Sequence, residues 1–280
     1  MRELDVPLPD GRTLHAYDAG DDVPGAAVAV LWHHGTPNTG PPPAPLLPAA
    51  QRLGVRWVGY DRPGYGGSTP NPGRDVGSAA ADAVAVADAL GLDRFAVMGH
   101  SGGGPHALAC AARLPDRVTG AVCGAGLAPA DAELLDYFAG MADSGVAALT
   151  AGAAGREARL RHEQEHGESY DPEFTHGDLE TLRGPWSWLL EVVNAGIASG
   201  PEPAADDDVA YATPWGFDPA EVLAPVLLLH GDADRVAPLG HARWLSDRMP
   251  DAELRVVRGA GHLSVLEHAE DALEWLVARA

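Results

Sequence analysis

A serine flanked by glycines is the residue of this chain whose setting most clearly suggests chemistry. The segment VMGHSGGGPHALA (97–109) passes from an apolar stretch through Ser101 into an alanine-rich one, and it contains the pattern G-x-S-x-G from Gly99 to Gly103. Chance alone gives about 0.13 such matches in a chain with 34 glycines. Ser101 is therefore either a nucleophile on a tight turn or a helix N-cap, and the rest of the chain must decide.

A serine nucleophile needs a base and a carboxylate, and candidates for both occur later in the chain. A serine hydroxyl attacks a carbonyl efficiently only when a neighbouring base accepts its proton. His262 follows the last strand-like segment in RGAGHLSV and is the candidate base, although a loop histidine alone is more often a surface or capping group. The turn HGDADRVAP supplies Asp232 and Asp234. One would orient the imidazole, and the other would bond the backbone of its own turn.

The apolar patterning predicts alternating strands and helices. A turn at Pro9-Asp10-Gly11 indicates a first hairpin. The later strand-like segments are AAVAVLW (26–32), VRWVGYD (55–61), RFAVMGH (94–100), RVTGAVCGAG (117–126), PVLLLHGDADRVAP (225–238) and AELRVVRGAGH (252–262). Strands that alternate with helices imply right-handed βαβ units. The predicted fold class is therefore α/β, with a mostly parallel eight-stranded sheet covered by helices on both faces.

Polar clusters fall where such a sheet would place a site. In open parallel sheets, sites form at the C-terminal ends of the strands. Four clusters are expected at those ends: His33–Thr36, His100–Gly102, Asp232–Asp234 and Gly261–His262. The serine, the aspartates and the histidine would thus converge from separate loops.

The composition changes between residues 127 and 215, where charged residues, histidine, glycine and proline become frequent and no strand-like run occurs. We predict a core of residues 1–126 and 216–280, interrupted by a helical lid at 127–215. The segment GPEPAADDD (200–208) is expected to be an exposed loop. Candidate pocket residues are His34, His100, Trp186, Trp188 and Trp215, although each tryptophan is more typical of core packing than of substrate contact.

Together, the strand order, the G-x-S-x-G motif and the chain order Ser, Asp, His resemble the α/β-hydrolase fold family. The resemblance extends over nearly the whole chain and rests on five ordered motifs: HG after the third strand, DRPGYGGS, GHSGGG, GDADRVAP and GAGH. It implies a catalytic triad of Ser101, Asp234 and His262, because the family's acid is the second aspartate of the G-D-x-D turn.

The resemblance also implies roles for residues near the nucleophile. The family's oxyanion hole consists of two backbone N–H groups, which correspond here to Gly102 and Thr36. The DRPGYGGS segment resembles a structural loop of the family, so Asp61 and Arg62 are expected to be scaffold rather than catalysts.

A serine hydrolase that cleaves a small, fairly apolar carboxylic ester, lactone or thioester through an acyl-enzyme on Ser101 is the function that the resemblance implies. An aminopeptidase that removes N-terminal proline is the main alternative, but such enzymes typically have GGPG where this chain has GTPN. They hold the substrate amine with lid carboxylates, for which the candidates are Glu163, Glu165, Glu168 and Glu191. A perhydrolase, a C–C hydrolase and a non-catalytic ligand-binding protein are further alternatives.

Composition limits the possible partners and cofactors. The net charge of −21 argues against a nucleic-acid partner, because phosphate binding needs a basic face. All 19 basic residues are arginine, which excludes Schiff-base and P-loop lysine chemistry. His230, Asp232 and Asp234 lack further metal ligands at a convincing spacing, so we predict no metal and no cofactor.

The two cysteines and the lengths of the apolar runs indicate in which cellular compartment the protein is expected. Cys110 and Cys123 lie in apolar surroundings and are expected to be buried free thiols. The first residues do not resemble a signal peptide, and no apolar run approaches the ~18 residues of a membrane span. We therefore expect a cytoplasmic protein that acts on a small molecule, with no membrane partner and with its oligomeric state left open.

Overall fold

One eight-stranded sheet organises the chain. The computed structural model describes residues 1–20, 23 and 25–279. Its strands are β1 (Arg2–Pro7), β2 (Thr13–Asp18), β3 (Val28–His33), β4 (Val55–Tyr60), β5 (Phe95–His100), β6 (Val118–Gly124), β7 (Val226–Gly231) and β8 (Ala252–Val257). Their order in the sheet is β1-β2-β4-β3-β5-β6-β7-β8. The pairs β1–β2 and β2–β4 are antiparallel and the other five are parallel, which confirms the predicted fold class.

Ten α-helices occur in the described part of the chain. They are α1 (Leu47–Leu53), α2 (Ala79–Ala89), α3 (Gly103–Arg113), α4 (Asp143–Ala153), α5 (Arg156–His166), α6 (His176–Thr181), α7 (Trp188–Ile197), α8 (Glu202–Ala212), α9 (Leu239–Arg248) and α10 (Ala269–Val277). None of these helices is long and apolar enough to cross a membrane.

The sheet is buried on both faces, which explains why its central strands are continuously apolar. In β3, Leu31 points into an apolar cluster that includes residues of α2, α3 and α9. Val30 and Trp32 point into a second cluster, which includes residues of α1 and α10. Cys110 and Cys123 are buried free thiols, as predicted.

The helices α4 to α8 all lie between β6 and β7, and no strand occurs in that segment. The predicted exposed loop at 200–208 was wrong, because α8 begins at Glu202 and buries both Asp206 and Asp207. Its proline stands in the first turn, where a missing N–H costs no helical hydrogen bond. Arginines neutralise the buried carboxylates, so a run of acidic residues did not mean a solvated segment here.

Candidate active site

Ser101 lies on a strained turn between β5 and α3. Its φ is +55°, a left-handed conformation that non-glycine residues rarely adopt and that is concentrated at functional sites. The glycines of the motif let the neighbouring segments pack closely. A Cβ on Gly99 would lie 2.1 Å from the carbonyl oxygen of Gly103, and one on Gly103 would lie 1.9 Å from that of His33. The tight turn therefore requires glycine at both motif positions.

Ser101, His262 and Asp234 form a continuous chain of hydrogen bonds. The distance from His262 Nε2 to Ser101 Oγ is 2.8 Å, and the distance from His262 Nδ1 to Asp234 Oδ2 is also 2.8 Å. Both His262 and Asp234 are buried. With Nδ1 protonated towards the carboxylate, Nε2 is the free acceptor that faces the serine hydroxyl. The three residues thus have the geometry of a nucleophile, a base and an orienting acid.

The two aspartates of the β7 turn have different partners. Asp234 Oδ1 accepts hydrogen bonds from the backbone N–H groups of Val236 and Ala237 at 2.8 and 2.9 Å. Burial would raise the pKa of Asp234, but His262, His230 and the backbone N–H of Ala237 together outweigh it and lower the pKa below its usual value. Asp232 instead accepts a hydrogen bond from Gly259 N at 2.6 Å. Asp234 therefore faces the histidine as a carboxylate, and Asp232 ties two loops together.

Two buried histidines support the site from behind. The Nε2–H of His100 donates to the carbonyl oxygen of His262 at 2.9 Å. Burial, assisted by His262, lowers the pKa of His100 to about 3, so this ring is neutral near pH 7. His34 donates from Nδ1 to the carbonyl of Gly35 at 2.7 Å, and its Nε2 accepts from Arg62 N at 2.9 Å. Both rings brace backbone segments next to the site.

Thr36 and Gly102 adjoin Ser101 from two loops. All three residues line the same cavity, and a Cβ on Gly102 would lie only 2.6 Å from Thr36 Oγ1. Within residues 1–20, 23 and 25–279, the backbone N–H groups of Thr36 and Gly102 find no hydrogen-bond acceptor. Two unengaged N–H donors thus lie beside the serine.

A cavity of about 210 Å³ opens at Ser101. Its wall is mainly apolar: Leu127 and Val236 lie in the loops after β6 and β7, and Met141 and Leu149 lie just before and within α4. It also contains the charged group Arg159, Glu163 and Asp208.

Those three charged residues neutralise one another only in part. Arg159 donates to Asp208 at 2.6 Å and to Glu163 at 2.8 Å, so two carboxylates share one guanidinium. Burial outweighs the effect of Arg159 and raises the pKa of Asp208 to about 6. The cavity therefore combines a mainly apolar wall with one charged group.

The five residues predicted to line the pocket lie elsewhere. None of them borders this cavity. His34 and His100 are engaged with backbone, as described above. Trp186 and Trp188 pack in the apolar cluster with α10, and Trp215 is buried in the other cluster beside Phe217. The tryptophans lie there because the segment between β6 and β7 must bury apolar surface of its own.

Two buried aspartates near the site were missed by the sequence reasoning. Asp178, on α6, accepts hydrogen bonds from Leu263 N at 2.8 Å and from Ser264 N at 2.7 Å, directly after His262. Asp207, on α8, accepts a hydrogen bond from Thr36 Oγ1 at 2.6 Å. The only local signal for Asp178 is the capping-box pattern that begins at Thr175, and the acidic run around Asp207 gave no signal of burial.

Comparisons with known proteins agree on the architecture. The family model described as alpha/beta hydrolase fold matches residues 28–269. The chain is 39% identical over 77 residues to a pimeloyl-[acyl-carrier protein] methyl ester esterase of Aromatoleum aromaticum, and this match spans only 28% of each protein. It is 28% identical to a 2-hydroxymuconate semialdehyde hydrolase of Pseudomonas putida, over 94% of this chain and 89% of the relative. A bromoperoxidase structure from Bacillus anthracis superposes with a TM-score of 0.72 at 22% identity, over 99% and 98% of the two chains.

Proposed function

The chain belongs to the α/β-hydrolase fold family, and from that premise we propose that it is a serine hydrolase that cleaves a small, fairly apolar carboxylic ester, lactone or thioester. One observation carries the proposal: the hydrogen-bonded chain from Ser101 through His262 to Asp234, which starts on a strained turn at an apolar cavity. The hydrolases among its relatives support the class of reaction.

The proposed reaction is acyl transfer to water. Ser101 Oγ attacks the substrate carbonyl as His262 Nε2 takes the hydroxyl proton, and Asp234 stabilises the imidazolium. The free N–H groups of Thr36 and Gly102 bind the developing oxyanion, each worth about 3 kcal/mol in such a site. The tetrahedral intermediate collapses, and His262 returns the proton to the leaving alcohol or thiol. Water, deprotonated by His262, then hydrolyses the acyl-enzyme and restores Ser101.

The volume and the lining of the cavity support two proposals, namely a small substrate and a lid. Its volume, about 210 Å³, lies below the 300–1,000 Å³ that is typical of sites for drug-sized ligands. Helices α4, α5 and α8 contribute much of its wall, including Leu149, Glu163 and Asp208. We therefore propose that the segment 127–215 acts as a lid that sets the length and polarity of the acyl or alcohol group.

The aminopeptidase alternative has one observation in its favour. Of the four glutamates considered for binding a substrate amine, only Glu163 lines the cavity, where it joins Asp208. Both carboxylates already bind Arg159, which leaves one net negative charge for an ammonium group. Glu165, Glu168 and Glu191 are exposed. The ester hydrolase remains our proposal because the rest of the cavity wall is mainly apolar.

Labelling with a fluorophosphonate tests the nucleophile directly. We expect the purified protein to gain one covalent adduct, located by mass spectrometry on the peptide that contains Ser101. Turnover of a panel of esters, lactones, thioesters, amides and proline arylamides then identifies the bond, with short esters expected to react fastest. An unlabelled Ser101 in folded protein would support a non-catalytic ligand-binding role, and preferential cleavage of proline arylamides would establish the aminopeptidase alternative.

The lid proposal predicts that shortening Leu149 changes chain-length preference. Leu149 lies on α4 and borders the cavity, so Leu149→Ala should admit a longer acyl chain. We expect the ratio of kcat/KM for octanoate over butyrate p-nitrophenyl esters to rise about 10-fold, the effect of one or two methylenes in an apolar pocket. Leu190→Ala, on the exposed side of α7, is the matched control. Equal ratios in the two variants would place the substrate outside this cavity.

A further inference from the structure

A buried ionic cluster of Asp207, on α8, with Arg62 and Arg74 contacts the loop that carries Thr36. Asp207 has no exposed surface and accepts five hydrogen bonds. Two come from Arg62, at 3.2 Å from Nε and 2.7 Å from Nη2. The others come from Arg74 Nη2 at 2.7 Å, Tyr65 Oη at 2.9 Å and Thr36 Oγ1 at 2.6 Å. One carboxylate of α8 thus joins two loops of the core, the one after β3 and the one between β4 and α2.

The cluster helps to fix the orientation of the Gly35–Thr36 peptide group. Arg62, held by Asp207, donates from Nη2 to the carbonyl oxygen of Gly35 at 3.1 Å and from Nη1 to the carbonyl oxygen of His34. The carbonyl of Gly35 and the N–H of Thr36 belong to the same planar trans peptide, so they point in opposite directions. The carbonyl oxygen of Gly35 also accepts from His34 Nδ1 at 2.7 Å and from Asn38 N at 3.0 Å. The three bonds together aim the N–H of Thr36 away from the cluster, and the hydroxyl bond to Asp207 holds the same residue from its side chain.

The second proposed oxyanion donor also contacts α8. Tyr211 stands four residues after Asp207, on the same face of the helix. Its hydroxyl lies 3.0 Å from Thr36 Oγ1 and donates to the carbonyl oxygen of Gly102 at 3.1 Å. One face of α8 therefore touches both residues whose N–H groups would bind the oxyanion.

We propose that Asp207 is a positioning residue for the oxyanion hole: it acts through Arg62 on the Gly35–Thr36 peptide and directly on the Thr36 hydroxyl. The role rests on the proposed serine-hydrolase function. It makes the insertion part of the catalytic machinery as well as a wall of the cavity, because α8 sets the geometry of a donor that belongs to the core.

The net charge of the cluster makes it possible to distinguish a positioning role of Asp207 from a simple electrostatic effect, because the two predict opposite results for Asp207→Asn. Two guanidinium groups and one carboxylate give the cluster a net charge of +1. Although burial alone would raise the pKa of Asp207, Arg62 and Arg74 outweigh it and lower the pKa well below its usual value, so the carboxylate stays ionised. Asp207→Asn changes the net charge to +2, which by itself would favour a neighbouring oxyanion. Positioning predicts the opposite result, namely weaker stabilisation of the oxyanion.

The experiment compares Asp207→Asn with Asp206→Asn on the short ester that the wild type cleaves best. Asp206 is the matched control because it is also buried on α8 and also paired with an arginine, Arg156, but does not contact the oxyanion loop. For Asp207→Asn we expect kcat to fall about 10- to 100-fold with KM changed by less than about threefold. Affinity for a trifluoromethyl ketone, which forms a hemiketal oxyanion on Ser101, should fall by a similar factor. Asp206→Asn should retain wild-type values.

A second variant keeps the test decisive if Asp207→Asn does not fold, since it leaves two buried guanidinium groups without an anion. Thr36→Val removes the hydroxyl that bonds Asp207 at 2.6 Å and that also lies 3.1 Å from Arg62 Nη2 and 3.0 Å from Tyr211 Oη. It keeps the backbone N–H and the ion pairs of Asp207 with Arg62 and Arg74. We expect kcat and ketone affinity to fall together, by about 10-fold. The positioning role is wrong if the folded variants keep the wild-type kcat, including the case in which only KM rises. An unlabelled Ser101 in the wild type would instead refute the proposed function itself, so the two failures are distinguishable.

Discussion

Hydrolysis of short p-nitrophenyl esters is expected to fall by about 10⁴- to 10⁶-fold in kcat when Ser101 is replaced by alanine, the range seen when a serine nucleophile is removed from a triad. The methyl group cannot form the acyl-enzyme, and His262 Nε2 loses the hydroxyl that lies 2.8 Å away. The residual rate would come from the oxyanion donors and from substrate binding. The measurement is steady-state kinetics, together with the loss of fluorophosphonate labelling.

Ser246→Ala serves as the control for that variant. Ser246 lies on α9 and does not border the cavity, so its removal should leave kcat and labelling unchanged. Ser101→Ala should also keep the Tm of the wild type or exceed it, because alanine removes a polar group from a position with φ of +55° without adding bulk. If Ser101→Ala turns over esters at the wild-type rate, a different residue is the nucleophile.

The sequence predicted those parts of the site in which the geometry of a short turn restricts which residue types can occur. The turn at Ser101 needs small residues on both sides, and the strand before it must be apolar because both faces of the sheet are covered. The same holds for the turns that carry Asp234 and His262. Each motif stands at the end of a strand, so an alternating pattern of strands and helices suffices to bring the three together. This is why both the fold class and the proximity of these three residues were predictable.

The cavity was not predictable, for a physical reason. Much of its wall consists of alanine, leucine, methionine and glycine from α4 and the neighbouring loops, and these residue types are the same in a pocket and in a core. The tryptophans, chosen because they are large and apolar, are used for core packing instead. The burial of Asp207 could not be predicted, because its partners Arg62 and Arg74 lie 145 and 133 residues earlier in the chain. Local sequence patterns do not reveal contacts over such distances along the chain.

Replacing Asp234 with asparagine is expected to lower kcat by about 10⁴-fold while leaving the shape of the site intact, the effect of the corresponding substitution in a serine protease. The structure gives a specific reason. The backbone N–H groups of Val236 and Ala237 both donate to Oδ1, so the amide oxygen of asparagine must take that position. The amide nitrogen then faces His262 Nδ1 and donates to it, which forces the proton onto Nε2. A protonated Nε2 cannot accept the proton of Ser101.

The control for this substitution is Asp232→Asn in the same turn. Asp232 accepts one hydrogen bond from Gly259 N, and an amide oxygen can accept that bond equally well, so activity should stay near the wild-type value. Fluorophosphonate labelling should slow in parallel with kcat for Asp234→Asn, because both reactions need the deprotonated serine. If Asp234→Asn retains more than about a tenth of the wild-type kcat, the tautomer of His262 is set by another group. The other carboxylate of the turn, Asp232, would then have to be tested in its place.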